Sequence, residues 1–231
     1  MDDFPESFDL SDVLELSPIH NQLETEGLCG AFTITDFLRN ILRKGTGGDD
    51  VIYSVHELWD LVQQNNGDKN IANSCVKYIQ EIGIRDEKRY PFMEYKGKPS
   101  LKKGPGLFLK EYHQIKTNID YEMKRVLYQL NYPLIVAINI DRTFTVGSAS
   151  RGETYRGMKD EKLGSHCILV VGWGTDEQGL NFWRFKNTWD TTWGNKGFGI
   201  LIMGTDIISG FKIYAITRVI GTQSRDIEDE S

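Results

Sequence analysis

His166, Asn187 and Cys29 are the residues of this 231-residue chain whose types and surroundings suit covalent chemistry. His166 opens an apolar run, Cys167 to Val171, that ends at Gly172 and Gly174 and has the length of a buried strand. A ring at the mouth of such a strand is open to a cleft, and imidazole can accept and return a proton near neutrality. Asn187 closes a second short strand, Asn181 to Lys186, and its amide oxygen suits the other ring N–H without adding charge. Trp189 and Trp193 follow at once, flat rings that keep water from such a hydrogen bond. By itself a histidine on an apolar strand is ordinary core; a nucleophile upstream changes its meaning. Cys29 lies in Gly27-Leu28-Cys29-Gly30-Ala31-Phe32, directly before a helical pattern in which Ala31, Ile34, Leu38, Ile41 and Leu42 recur at three- and four-residue steps. The unpaired N–H groups and positive dipole end of a helix N-terminus favour a thiolate, and a nearby imidazolium favours it further.

On these residues the chain resembles the papain-like cysteine peptidases. The shared segments are Asn21-Gln22, Cys29-Gly30-Ala31-Phe32, Tyr53 to Leu58, Gly83-Ile84 with Tyr90-Pro91-Phe92, His166 to Gly174, and Lys186-Asn187-Thr188-Trp189 with Trp193-Gly194. They run in the family's order from about residue 19 to about residue 219. Cys29 and His166 are 137 positions apart (166 − 29) and Cys29 and Asn187 are 158 apart (187 − 29), the first within the family's span and the second slightly beyond it. The resemblance implies an α+β, two-lobe fold, a mainly helical N-terminal lobe and an antiparallel β-barrel-like C-terminal lobe with the active-site cleft between them. It implies Cys29 as nucleophile, His166 as proton carrier, Asn187 as the group that fixes the ring, and Gln22 as an oxyanion donor beside the Cys29 N–H. Gly67, Ser165, Trp189 and Trp193 take the places of substrate-binding residues. Neither a metal nor another cofactor is expected. Three departures stand out: Gln22 and Cys29 are seven positions apart, one more than in the family, Gly30 replaces a tryptophan, and Asn66-Gly67 is what remains of a glycine pair.

The elements that must position these residues follow from local pattern. Ser54 with Glu57 three residues later forms a capping box for a helix through Val62. A second helix is expected over Asn70 to Ile82, with Ile71, Cys75, Ile79 and Ile82 on one face and Gly83 as its stop. Cys75 therefore belongs to the core, and Cys167, facing away from His166 along a strand, is expected to be packed as well. Met123, Val126, Leu127 and Leu130 mark a short helix, and Leu134 to Ile140, His166 to Val171, Asn181 to Lys186, Phe198 to Met203 and Phe211 to Val219 are expected strands. The glycine-rich stretch Gly45 to Gly48, the Gly/Pro/Lys-rich stretch Lys96 to Gly106 and the long polar segment Arg142 to Leu163 are expected loops, the last a mobile one. The whole chain, 1–231, is expected to be a single domain: residues 19–112 the helical lobe, 113–220 the β lobe with 1–18 strapped across it, and 221–231 a disordered acidic tail.

Composition narrows the partners. A hydrophobic fraction of 39% and a charged fraction of 26% are those of an ordinary soluble protein. A net charge of −6 without a basic stripe argues against nucleic acid and anionic membrane surfaces. The opening Met1-Asp2-Asp3-Phe4-Pro5 has no leader pattern, and no run is long enough to span a bilayer. Three cysteines make a poor disulfide framework, and Glu26 and Leu61 stand where secreted relatives carry paired cysteines. A reducing compartment, cytoplasmic or nuclear, is therefore expected. The family is usually made with an inhibitory prosegment, whereas this sequence begins at the catalytic domain: either a precursor has been trimmed or control is exerted some other way, and a protein inhibitor or regulator joins peptide and protein substrates among the expected partners; a monomer is expected.

Three functions fit these residues. The first is a cysteine endopeptidase working through an acyl-enzyme. The second is a weak or inactive papain-like module that binds peptide or protein partners, motivated by Gly30, the longer Gln22–Cys29 spacing and the reduced Asn66-Gly67 loop. The third is acyl transfer to an acceptor other than water. Retention of Cys29, His166 and Asn187 together favours the first.

Overall fold

The computed structural model describes residues 4–22, 28–46, 50–64, 71–92, 106–204 and 213–223. The apolar steps after Cys29 form helix α1 (Leu28–Thr46), which takes in Gly45, one of the expected loop residues. Its core residues Ala31, Ile34, Phe37 and Leu38 are fully or almost fully buried, and so are Thr33, Asp36 and Asn40 between them. A helix buried all round needs partners for its polar positions. Thr33 Oγ1 donates to the Cys167 carbonyl at 3.2 Å, Asn40 Oδ1 accepts the Ser17 N–H at 2.8 Å, and Asp36 meets Lys186 and His20.

Helix α2 (Val55–Gln64) runs two residues beyond the expected end. Ser54 Oγ accepts the Glu57 N–H at 3.0 Å, the forward half of the capping box. The return half does not form, because the Ser54 N–H donates to the Arg85 carbonyl and Glu57 turns to Tyr78 and Arg85. In helix α3 (Ile71–Glu81) Cys75 and Ile79 are buried, whereas Ile82 is 54% exposed just past the helix end. Gly83 follows at φ +86 and accepts the left-handed stop that its type predicts.

The second half is one antiparallel sheet. Strands β2 (Gly106–Ile115), β3 (Leu134–Ile140), β4 (Gly164–Thr175), β5 (Asn181–Lys186), β6 (Phe198–Ile202) and β7 (Ile213–Gln223) lie in the order β2-β7-β3-β4-β5-β6. β2 has no counterpart among the expected strands and crosses the expected division between residues 112 and 113. β4 is twice the length of its predicted run, and β7 occupies residues 221–223 of the predicted tail; residues 224–231 lie outside the described residues. Helix α4 (Ile119–Gln129) covers one face of the sheet.

The central strands are apolar without interruption because both of their faces are covered. Ile135, Cys167, Leu169 and Val171 face the helices, while Val136, Ile138, Ile168 and Val170 face the other core with Trp183 and Phe185. β3 ends its pairing at Leu134↔Val170, and the short strand β1 (Phe8–Asp9) takes the edge of β4 that this leaves free, at Trp173 and Gly172. A Cβ on Gly172 would lie 2.3 Å from the Phe8 carbonyl oxygen, so the N-terminal strap can cross here only over glycine.

Residues 142–163 are not the mobile loop their polarity predicts. Asp141 is fully buried and caps the short helix α5 (Arg142–Thr145). Its carboxylate accepts from Thr143 Oγ1 at 2.6 Å, from the Lys159 N–H at 2.7 Å and from the Asp160 N–H at 3.1 Å. Burial pushes this carboxyl up, but those donors outweigh it and hold it at about 2. The segment so pinned inserts Phe144 and Tyr155 into the core.

Candidate active site

The N-terminus of α1 and the start of β4 bring Cys29 and His166 together. Cys29 is the second residue of α1 and 6% exposed, and its thiol is lowered by the His166 ring among its neighbours. Asn187 Oδ1 stands 2.7 Å from His166 Nε2, which leaves Nδ1 for the thiol. The same oxygen accepts the Thr188 N–H at 2.8 Å, so the amide is held from two sides. Trp189 lies over His166 at 4.5 Å between ring centroids, and Phe144 packs against both rings, at 5.8 Å from His166 and 5.4 Å from Trp189.

The charge at Cys29 is set by its neighbours. The Cys167 thiol, hydrogen-bonded to Cys29, holds the Cys29 thiol well below its ordinary range; burial opposes this, and His166 and the Cys167 backbone add to the lowering. Cys167 itself is pushed well above its range, first by that hydrogen bond and then by burial. Cys167 is packed, as expected, at 6% exposure in the core. It does face away from His166, but that face of β4 is the one α1 covers, and Cys29 lies there.

Gln22 is fixed despite the longer spacing to Cys29. Its N–H donates to the Thr188 carbonyl at 2.8 Å, Asn21 bridges Trp189, and the Asp190 N–H donates to the His20 carbonyl at 2.9 Å. Thr188 Oγ1 donates to Gln22 Oε1 at 2.5 Å, which turns the amide nitrogen to the other side. Residues 20–22 are thus tied to the segment that carries Asn187.

Ser165 is exposed beside His166, with Oγ donating to Asn139 Oδ1 at 3.2 Å. Trp193 is 6% exposed, donates Nε1–H to the Phe144 carbonyl and packs edge-on against Trp189, backing that ring. Gly67 lies outside the described residues. Phe144, Thr188 and Cys167 belong to the site and were not singled out by type or spacing. Among the described residues no group of three or more His, Cys, Asp or Glu side chains could hold a metal ion.

The family whose model matches residues 4–219 is described as "Papain family cysteine protease". The chain is 30% identical over 205 residues to mouse cathepsin K, covering 85% of this chain and 59% of that sequence. It is 26% identical over 205 residues to Peptidase 1 of Psoroptes ovis, covering 88% and 62%. The chain thus spans about three fifths of the length of these curated relatives. Procathepsin B S9 of Trypanosoma congolense superposes with a TM-score of 0.74 at 20% identity, over 96% of this chain and 79% of that one. A Carica candamarcensis cysteine protease in complex with E-64 gives 0.69 at 21% identity, over 96% and 100%. These two likenesses establish the fold: helices in the N-terminal part and a curled antiparallel sheet in the C-terminal part.

Proposed function

This chain belongs to the papain family of cysteine proteases, and from that premise we propose that it is an endopeptidase that cleaves peptide bonds through a Cys29 acyl-enzyme. The observation that carries this reading is the His166–Asn187 hydrogen bond at 2.7 Å beside Cys29 at the N-terminus of α1, whose thiol is held well below its ordinary range. The thiolate attacks the scissile carbonyl, the oxyanion meets the Cys29 N–H and the amide nitrogen of Gln22, and His166 passes its proton to the leaving amine. Water, activated by the same ring, then releases the acyl group. Substrates are peptides or proteins held against Ser165 and Trp189. The same reading puts the protein in a reducing compartment, cytoplasmic or nuclear, supported by three free thiols.

The deciding experiment incubates the full chain with E-64, the inhibitor in the Carica complex, and reads intact mass beside hydrolysis of a peptide library. One adduct, lost in Cys29→Ala, together with Cys29-dependent cleavage is expected. Folded protein that takes no adduct and cleaves nothing is instead a peptide-binding module. Gln22→Ala is expected to lower kcat/KM by about 10²–10³-fold with KM little changed, as for loss of one preorganised oxyanion donor. A loss confined to KM would remove Gln22 from that role.

A further inference from the structure

Gln22 belongs to no helix or strand. It stands ahead of α1, joined to Cys29 by a link one residue longer than in the family. A donor aimed at an oxyanion has to be held to within about 0.5 Å, so the contacts of residues 20–22 decide whether Gln22 is in place. The backbone of this segment is tied to Thr188, Trp189 and Asp190, all just past Asn187. It is tied to α1 by the His20 side chain. His20 Nε2 lies 2.9 Å from Asp36 Oδ1, and the ring stacks on Phe32 with centroids 4.9 Å apart and planes at 25°. A carboxylate only accepts, so Nε2 carries the proton of this bond. Both partners sit on the helix that begins beside Cys29, Phe32 about one turn from the nucleophile and Asp36 about two. Asp36 is itself a fixed acceptor, because its other oxygen holds the buried Lys186 ammonium.

Building on the peptidase reading, we propose that His20 is a positioning residue for the oxyanion site: its ring locks the Gln22 segment to α1 and so fixes the Gln22 amide relative to the Cys29 N–H. The oxyanion takes one donor from α1 and one from residue 22, and the two converge only if their carriers are held as one body. The bonds to Thr188 and Asp190 set Gln22 against Asn187 and leave its distance from Cys29 open. His20 closes that side. Its carbonyl accepts the Asp190 N–H at 2.9 Å while its ring reaches Asp36, so one residue joins the Asn187 segment, the Gln22 segment and the nucleophile's helix. The length of the side chain matters as well as its donor. A glutamine amide nitrogen stands about as far from Cα as the imidazole Nε2, whereas asparagine falls short of Asp36 and phenylalanine offers no donor.

The test is a double-mutant cycle on the full chain, with His20→Ala and Gln22→Ala alone and combined, read by steady-state hydrolysis of a peptide. His20→Ala is expected to lower kcat by about 10–10²-fold with KM little changed, the cost of a misplaced donor. Once Gln22 is already alanine, the same change should cost less than about threefold. His20→Gln is expected to recover most of the loss, and His20→Asn and His20→Phe are not, although the last keeps a ring over Phe32. An equal loss in both backgrounds, a loss confined to KM, or His20→Phe as active as wild type would overturn the proposal. Should His20→Ala fail to fold, His20→Gln set against His20→Phe decides. A peptide aldehyde reads the same site without turnover: the Cys29 thiol adds to its carbonyl carbon, the proton passes to the oxygen, and that oxygen sits where the oxyanion would. Its Kd should rise about tenfold in His20→Ala and not in the Gln22→Ala background. If wild type binds the aldehyde and cleaves nothing, the peptidase reading falls and the cycle on Kd still decides the role of His20. If wild type cleaves and the cycle is additive, only that role falls. Folded wild type that neither cleaves nor binds defeats both.

Discussion

His166→Ala is expected to lower kcat for peptide hydrolysis by about 10⁴–10⁶-fold, the range seen when one member of a nucleophile–base pair is removed. The ring is 2% exposed, is held by Asn187 and is the proton carrier beside Cys29 among the described residues. The loss is a chemical one. The Cys167 hydrogen bond, the largest of the effects that depress the Cys29 thiol, survives the substitution, whereas the two contributions of His166 disappear. The reaction of Cys29 with iodoacetamide should therefore shift its midpoint to higher pH without returning to that of a free thiol. Hydrolysis by folded His166→Ala within tenfold of wild type would exclude His166 as the proton carrier.

What the sequence showed of this site, and what it hid, divides along one physical line. Cys29, His166, Asn187 and Gln22 were legible because each sits in a motif tied to a short local element: a helix start, a strand mouth, a strand end and the segment that bridges it. β3 and β5 were legible residue for residue, since their apolar patterns stop at turn residues. β2 was not. Its buried Leu107 and Leu109 alternate, but register shifts after Gly106, Leu109 and Glu111 break the two-residue period, and Lys110, Glu111 and Gln114 give it the look of a loop. The order in residues 142–163 rests on one buried carboxylate, Asp141, reaching N–H groups 18 and 19 positions away. No local pattern encodes such a contact. Cys167 is the instructive case: strand alternation correctly turns it from His166, yet only the docking of α1 on that face puts it in one core with Cys29.

Asp36→Ala is expected to destabilise the protein by about 3–5 kcal/mol, the cost of leaving a buried charge unpaired. Lys186 is 1% exposed and its ammonium meets only the Asp36 carboxylate and Ser17 Oγ, at 2.9 Å for the latter, among the contacts seen. Asp36 is shared with His20, whose Nε2 lies 2.9 Å from Oδ1, so one carboxylate ties the strap, α1 and β5 together. Lys186 directly precedes Asn187, and the loss should therefore reach the His166 ring as well as global stability. Burial lowers the Lys186 ammonium despite its partner, whereas for Asp36 burial acts upward and is outweighed by Lys186 and His20, which hold the carboxyl below its usual range. A depressed carboxyl contributes stability that is present above its unfolded value, about 3.9, and is lost as pH falls through the folded value. The stability gap between wild type and Asp36→Ala should therefore be wide at neutral pH and narrow below about pH 4. It should narrow again in alkali, where the variant's unpaired lysine gives up its proton. Removing both charges, in Asp36→Leu with Lys186→Met, should recover most of the loss, as apolar replacement of a buried pair commonly does. Urea unfolding across pH measures all three. A single-variant cost below about 1 kcal/mol, or a double variant no better than the single, would mean that the pair is not what holds β5 to α1.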